Sequence, residues 1–245
     1  MSRAEYVFDN TIRPTLNIYN GFRYKFFAEY MYRVNGTTGG FYNIGADFRY
    51  YQKIYKNFIW ALRLAGATSG GDMKILYHIG GVDNWINNKY SDYVPLRPVQ
   101  NYAFEALATN LRGYKQNSRN GNTYALANTE FRLPIFSTFM KRPIQSSIIK
   151  NMQLVAFADV GSAWAGFLPN ADRLRNDRIL PDPNNPSSDP QVILQITDDS
   201  GGVGVGYGAG LRTMIFGYFL RVDAAWNIED QKTKPIIYFS IGTDF

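Results

Sequence analysis

The chain contains no cysteine and a single histidine, His78. The first absence excludes a disulfide framework and all thiolate chemistry, whether metal-binding, redox or nucleophilic. The second leaves His78 as the sole base for a Ser-His-Asp site, and no G-x-S-x-G elbow accompanies it. No set of His, Asp and Glu has metal-ligand spacing, so neither an enzyme nor a metal or other cofactor is expected. No run of 18 apolar residues exists, so no membrane helix is expected. The start, Met1 to Phe8, lacks the apolar core of an export signal. Concentrated positive charge is also missing. The net charge is +6, but Lys and Arg are spread along the chain and alternate with Tyr and Phe. Nucleic-acid binding would need them on one face.

Aromatic residues are abundant: 16% of 245 residues, with 18 Tyr and 17 Phe, more than a soluble domain usually carries. Outer-membrane barrels carry such a load in girdles at both membrane interfaces. A mean hydropathy of −0.28 suits a barrel with a polar lumen as well as a soluble domain.

Side-chain character alternates with period two, the mark of a strand with two unlike faces. In Gly21 to Val34 the even positions are Phe22, Tyr24, Phe26, Ala28, Tyr30, Tyr32 and Val34, whereas Arg23, Lys25, Glu29 and Arg33 are odd. Segments 41–53, 58–67 and 218–227 repeat the pattern. Each run is about the 9–11 residues that a tilted strand needs to cross a bilayer. Strands of a soluble sandwich, the competing reading, usually run about 5–6 residues and favour Val, Leu and Ile inside. The expected fold is therefore an all-β, antiparallel transmembrane β-barrel.

Nine strands are expected, near 4–10, 21–33, 41–53, 58–67, 123–133, 152–161, 203–214, 218–227 and 236–245, with a weaker tenth near 102–107. Single-chain bacterial barrels use an even number. Residues 1–245 are thus expected to form the carboxy-terminal part of a larger barrel, with an export signal and further strands upstream. Segments 68–122 and 162–202 are expected to be long extracellular loops, with shorter ones at 34–40 and 228–235. Turns at 11–20, 54–57, 134–150 and 214–217 then face the periplasm. Leu180 to Pro190, rich in Pro, Asn, Asp and Ser, reads as a solvated loop tip.

The chain ends PIIYFSIGTDF, with Ile237, Phe239, Ile241, Thr243 and Phe245 on one parity. A terminal aromatic on an alternating strand resembles an outer-membrane sorting signal, and main-chain groups at a sheet edge are open to strand addition. In Gly201 to Gly210 (GGVGVGYGAG) the glycines alternate with Val203, Val205, Tyr207 and Ala209. No phosphate-binding pattern is present, so this is a strand whose inner face is bare, leaving room for a packed loop. Asp198, Asp199 and Asp223 are read as solvated or paired structural carboxylates.

Four stretches carry a family resemblance. Leu111-Arg112-Gly113-Tyr114 matches a (V/L)RG(F/Y) motif. Ala127 to Pro134 resembles the strand that follows it. Phe157-Ala158-Asp159-Val160-Gly161 matches an F-x-D-x-G strand, and Gly208-Ala209-Gly210-Leu211-Arg212 a G-x-G-x-R strand. Together they resemble the bacterial surface-antigen superfamily of outer-membrane barrels, which includes BamA, TamA and the two-partner secretion transporters. The resemblance implies a barrel of about sixteen strands, of which this chain supplies nine or ten. It implies insertion or translocation of proteins at the outer membrane, through a weak seam between first and last strands. The implied partners are outer-membrane lipid and lipopolysaccharide, nascent outer-membrane or secreted proteins, and periplasmic accessory proteins. In the family the motif loop folds back into the lumen.

Parity supplies an independent reading of the site. Glu130 and Arg132 share one face of their strand, and Phe157 and Asp159 share the lumen face of another. From the residues alone Arg112 reads as a solvent-exposed residue at a loop tip; the family resemblance implies instead that it pairs with Asp159, Glu130 or both, a role that suits a guanidinium fork able to bond two acceptors at once. One departure stands out. Gly80-Gly81, which the family places just before the Arg motif, lies some thirty residues before Arg112, so Ile86 to Thr109 looks like an insertion. The variant resembles Bacteroidetes-type members. A passive pore, with Arg23, Lys25, Arg49 and Arg63 setting anion preference, is the alternative function. A lipid-modifying barrel lacks a nucleophile–base pair.

Overall fold

The computed structural model describes residues 1–32, 40–91, 101–140, 144–169, 202–229 and 234–245. The segment Leu180 to Pro190, Asp198 and Asp199, and most of 34–40 and 162–202 lie outside the described residues. One antiparallel sheet dominates. Its strands are β1 (Ser2–Asp9), β2 (Ile12–Thr15), β3 (Ile18–Tyr32), β4 (Gly40–Tyr55) and β5 (Phe58–Gly71). It continues after an insertion with β9 (Thr123–Pro134), β10 (Gln153–Trp164), β11 (Gly204–Ile215), β12 (Tyr218–Asn227) and β13 (Ile236–Ile241). Neighbours follow chain order, β1-β3-β4-β5-β9-β10-β11-β12-β13, with the short β2 pairing β3 beside the wall. Among the described residues the sheet does not close on itself, and β1 and β13 lie at its two ends.

The two faces of this wall decide between membrane barrel and soluble sandwich. Phe26, Tyr30, Tyr42, Ile44, Leu64, Phe131, Leu154, Tyr207 and Phe239 are exposed on one face. The other face buries Asn128, Glu130, Arg132, Asp159, Arg212 and Asp223. A soluble protein buries its apolar stripe and shows its charges. This inverted arrangement is stable only where lipid meets the outer side. With β3 to β5 at 14 to 16 residues, the strands outreach the bilayer core.

Tight turns join the wall strands at one end. Phe216 and Gly217 link β11 to β12 with φ of 51° and 83°, the left-handed pair of a type I′ hairpin. At the same end the 134–150 connection carries two short helices, α1 (Ile135–Phe139) and α2 (Ser147–Lys150).

The insertion between β5 and β9 builds a second sheet. Its strands are β6 (Lys74–Ile79), β7 (Tyr102–Ala108) and β8 (Arg119–Gly121), in the order β7-β6-β8. Ile75, Tyr77 and Ile79 pack with Phe41, Ala67, Leu126 and Ala163 from the inner face of the wall. The segment expected as a tenth strand therefore exists but is no part of the wall. It pairs in parallel with β6, because β5 bonds directly to β9 from Ile59–Arg132 to Thr68–Thr123 and leaves no gap.

The carboxy-terminal strand also differs from expectation. It ends at Ile241 rather than Phe245, and Gly242, at φ 125°, turns the chain inward. Ile237, Phe239 and Ile241 stay on the outer face, as their parity requires. Phe245 leaves that face and is buried against Ile18, Tyr51, Ile59 and Ala61. Burial of the ring, and ion pairs for the preceding Asp244, account for the break in alternation.

Ala156 lies midway along β10 on the exposed face. Ala156→Arg is expected to cost roughly 2–4 kcal/mol in a bilayer. Refolding of the full protein into vesicles under a urea gradient measures it. A change within about 0.5 kcal/mol, the usual size on a water-facing surface, would refute a lipid-facing wall.

Candidate functional site

The site forms where residues 110–114 lie against the inner faces of β9 to β13. The approach is close because the inner face of β11 carries glycine. A Cβ at Gly206 would overlap the Arg112 carbonyl, and one at Gly113 (φ 92°) would crowd the Trp226 carbonyl. The bare strand is thus filled by the motif loop.

Arg112 is 1% exposed. Its Nε donates to Asp159 Oδ2 at 2.6 Å and its Nη2 to Oδ1 at 2.8 Å, while its backbone N–H donates to Oδ2 at 3.0 Å. Its Nη1 makes an ion-pair contact with Glu130 Oε1 at 2.7 Å. The Phe157 ring lies beneath the guanidinium, its centre 3.6 Å from Cζ. Both carboxylates and the ring come from adjacent wall strands, because Phe157 registers with Glu130 across β9 and β10. Burial alone would lower the guanidinium pKa, but Asp159 and Glu130 raise it well above its ordinary value.

The rest of the motif is held as firmly. Leu111 is fully buried, and its N–H and C=O bond to the carbonyl and N–H of Gly81. The Gly80-Gly81 pair therefore meets the Arg motif in space despite its distance in sequence. The Gly113 N–H donates to Tyr238 Oη at 2.9 Å, and that hydroxyl donates to the Tyr114 carbonyl at 2.8 Å. Asn227 Nδ2 donates to the Gly113 carbonyl, and Asn128 Nδ2 to both the Asn110 carbonyl and Asp159. Tyr114 Oη accepts from the Val205 N–H at 3.0 Å. Burial first, then the neighbouring Glu229 carboxylate, pushes that phenol up to about 12.

A second network continues toward the end of the wall that carries the tight turns. Glu130 Oε2 accepts from Arg132 Nε at 2.8 Å, and Arg132 Nη2 donates to the Phe245 carbonyl at 3.0 Å. Arg212 pairs with Asp223 at 2.7 Å and with Asp244 at 3.0 Å, and Arg221 reaches Asp244 at 3.4 Å. Burial would raise the Asp244 pKa, yet Arg212, Arg132 and Arg221 hold it well below the ordinary carboxylate range. Asn17 adds a hydrogen bond to Asp244 at 2.8 Å. A continuous path of ion pairs and hydrogen bonds thus joins Asp159 to Asp244.

Arg112, Glu130, Phe157 and Asp159 come together here. Gly161 sits farther along β10, beneath Leu126 and out of reach of Arg112. Gly208 makes room for Phe157, and Gly210 and Arg212 belong to the second network. Ile237, Phe239 and Ile241 face away from the site. Sequence reasoning missed Tyr238, Asn128, Arg221 and Asp244 as participants. All four carried a usable signal: Asn128 shares parity with Glu130, Arg221 with Asp223, and Tyr238 and Asp244 share the inward parity of β13 and its extension. His78, expected in a loop, is buried in β6, where its Nδ1 lies 3.0 Å from Tyr90 Oη. Burial lowers its pKa, with Glu105 opposing.

The Omp85 superfamily domain matches residues 7–245 of this chain. Among solved structures, BamA from Haemophilus ducreyi lacking POTRA domains 1–3 is similar, with a TM-score of 0.57 and 13% identity. The match covers 97% of this chain and 41% of that one, a likeness of fold. No curated protein sequence matches.

Arg112→Ala would leave Asp159 and Glu130 buried without their cation, and is expected to cost about 3–5 kcal/mol. Chemical denaturation, with limited proteolysis of segment 101–122, measures the loss. A cost below about 1 kcal/mol would show that the pairing does not hold the loop. For Asp244 the sign follows from its depressed pKa: its contribution is complete above the unfolded value of about 4 and fades as pH falls below it. Asp244→Asn is expected to flatten this part of the stability–pH curve.

Proposed function

Because the chain belongs to the Omp85 superfamily, we propose that it forms the carboxy-terminal wall of a bacterial outer-membrane barrel that inserts or translocates other proteins. The family's work is assembly or translocation rather than catalysis. In this reading the complete barrel has about sixteen strands, and segments 68–122 and 162–202 enter from the extracellular side. The first of these folds into the lumen, where Leu111 to Tyr114 form the loop lock. Clients are nascent outer-membrane or secreted proteins. Lipid, lipopolysaccharide and periplasmic accessory proteins are the remaining partners.

The observation that carries the proposal is a contrast within the wall. The inner loop is bound by the Arg112–Asp159–Glu130 cluster to the middle of the sheet. The last strand is only six residues long and pairs with β12 through six residue pairs. A rigid interior beside a short terminal strand lets the seam open without unfolding the wall. Main-chain groups on the side of a last strand away from its neighbour are templates for strand addition. The inner sheet of β6 to β8 favours this reading over a passive pore, since it occupies space through which ions would flow.

The absence of native cysteine in this chain simplifies the test. In the full protein, a cysteine pair joining β13 to the strand that closes the barrel is expected to abolish client insertion when oxidised and restore it on reduction. Unchanged insertion in the oxidised protein would rule out a lateral seam. Charge reversal at Arg49, with conductance measured in planar bilayers, tests the pore reading.

A further inference from the structure

The edge of β13 away from β12 is occupied. Among the described residues, its partner there is the insertion between β5 and β9. Trp85 forms an antiparallel bridge with Ser240, and the Ile86 N–H donates to the Phe239 carbonyl at 2.9 Å. The Trp85 ring lies 4.6 Å from that of Tyr238. Just upstream, the Asp83 carbonyl accepts from Arg221 Nη2 at 2.7 Å, which fastens the segment to β12 as well. Asn84, at φ 53°, provides the turn that presents Trp85 and Ile86 to the edge.

This contact is anchored to the lock. The Asp83 N–H donates to Asn110 Oδ1 at 3.0 Å, and Thr109 Oγ1 donates to the Asp83 carboxylate. Gly81 pairs with Leu111 on the other side of the same turn. Residues 81–86 therefore bridge the Arg112 cluster and the edge of the last strand. The backbone grip on the edge is short: one bridge with one hydrogen bond, against six registered pairs between β12 and β13, and Val82 and Trp85 add packing around Tyr238. The Ile86 side chain is 64% exposed and contributes little packing. An incoming strand able to pair along all of β13 would make more main-chain bonds than the segment it displaces.

We propose that Asp83–Ile86 is a resident cap on the edge of the last strand, a short stand-in for a client strand that an incoming strand displaces while the Arg112 cluster keeps the cap close for return. The inference deepens the proposed function and rests on its seam. It adds a competitor for the seam that belongs to this chain's own insertion.

The test uses the full protein in lipid nanodiscs. The probe is a fluorescein-labelled peptide copying Tyr218–Asn227, a sequence that pairs antiparallel with β13 in the fold. Ile86→Pro removes the donor N–H and is expected to tighten peptide binding roughly three- to tenfold, the worth of one hydrogen bond. Ile86→Ala keeps the N–H and is expected to leave binding unchanged. Trp85→Ala, milder for the backbone, is expected to shift binding in the same direction as Ile86→Pro. The pair Trp85→Cys with Ser240→Cys is expected to cross-link under mild oxidation and to block the peptide until reduced. Failure of that pair to cross-link in folded protein, or peptide binding indifferent to the cross-link and to both cap variants, would overturn the cap. Peptide competition as described, combined with no client insertion by the wild-type protein, would keep the cap and remove the proposed function instead.

Discussion

One buried guanidinium organises this molecule. Arg112 is removed from water on all sides, a state that is tolerable because its donors meet two carboxylates and its face meets an aromatic ring. Those partners sit on adjacent strands whose register is set by the wall, so the loop is held to the sheet at one position along its height. The glycines of β11 are the steric counterpart of that bond, since the charge pairing requires a backbone approach that side chains would prevent. Once the loop is pinned there, the positions of Tyr238, Gly81 and the 83–86 turn follow from it.

The ion pairs matter more for specificity than for net stability. Buried pairs seldom outperform well-packed apolar residues, but a mispaired one is costly. A lumen-filling loop attached by hydrophobic contact alone could slide along the wall. Attached through Asp159 and Glu130, with Arg132 carrying the network on to the chain end, it has one low-energy seat. The inward turn at Gly242 belongs to the same design. It places Asp244 among Arg212 and Arg221 and packs Phe245 against Ile18, Tyr51 and Ile59. The last strand is thereby tied to the inner face both through Tyr238, which bonds Gly113 and Tyr114, and through the chain end beyond it.

Much of the wall was legible because period two is a geometric property of an extended chain. Alternation of Tyr and Phe with Arg, Lys and Asp sorts residues to two faces wherever the strand runs, so Phe157 and Asp159 were bound to share a face. Reading ran out where the chain stops alternating or where an alternating segment is not part of the wall. Tyr102 to Ala108 forms a strand, yet the direct pairing of β5 with β9 assigns it to the inner sheet. Phe245 keeps the outward parity of the strand before it, yet a single left-handed residue at Gly242 reverses its direction.

By itself, then, the sequence determined the class of fold, the two faces of each wall strand and the charge character of the lumen, because these depend only on local extension and on which side chains lipid accepts. Its motifs also determined the family. Tertiary structure alone decided which carboxylates receive Arg112, how Gly81 rejoins Leu111 across the insertion, and what rests on the edge of the last strand. Those contacts link residues far apart in the chain, and their partners are selected by register and by the space that glycine leaves, neither of which is written in the spacing of any one segment.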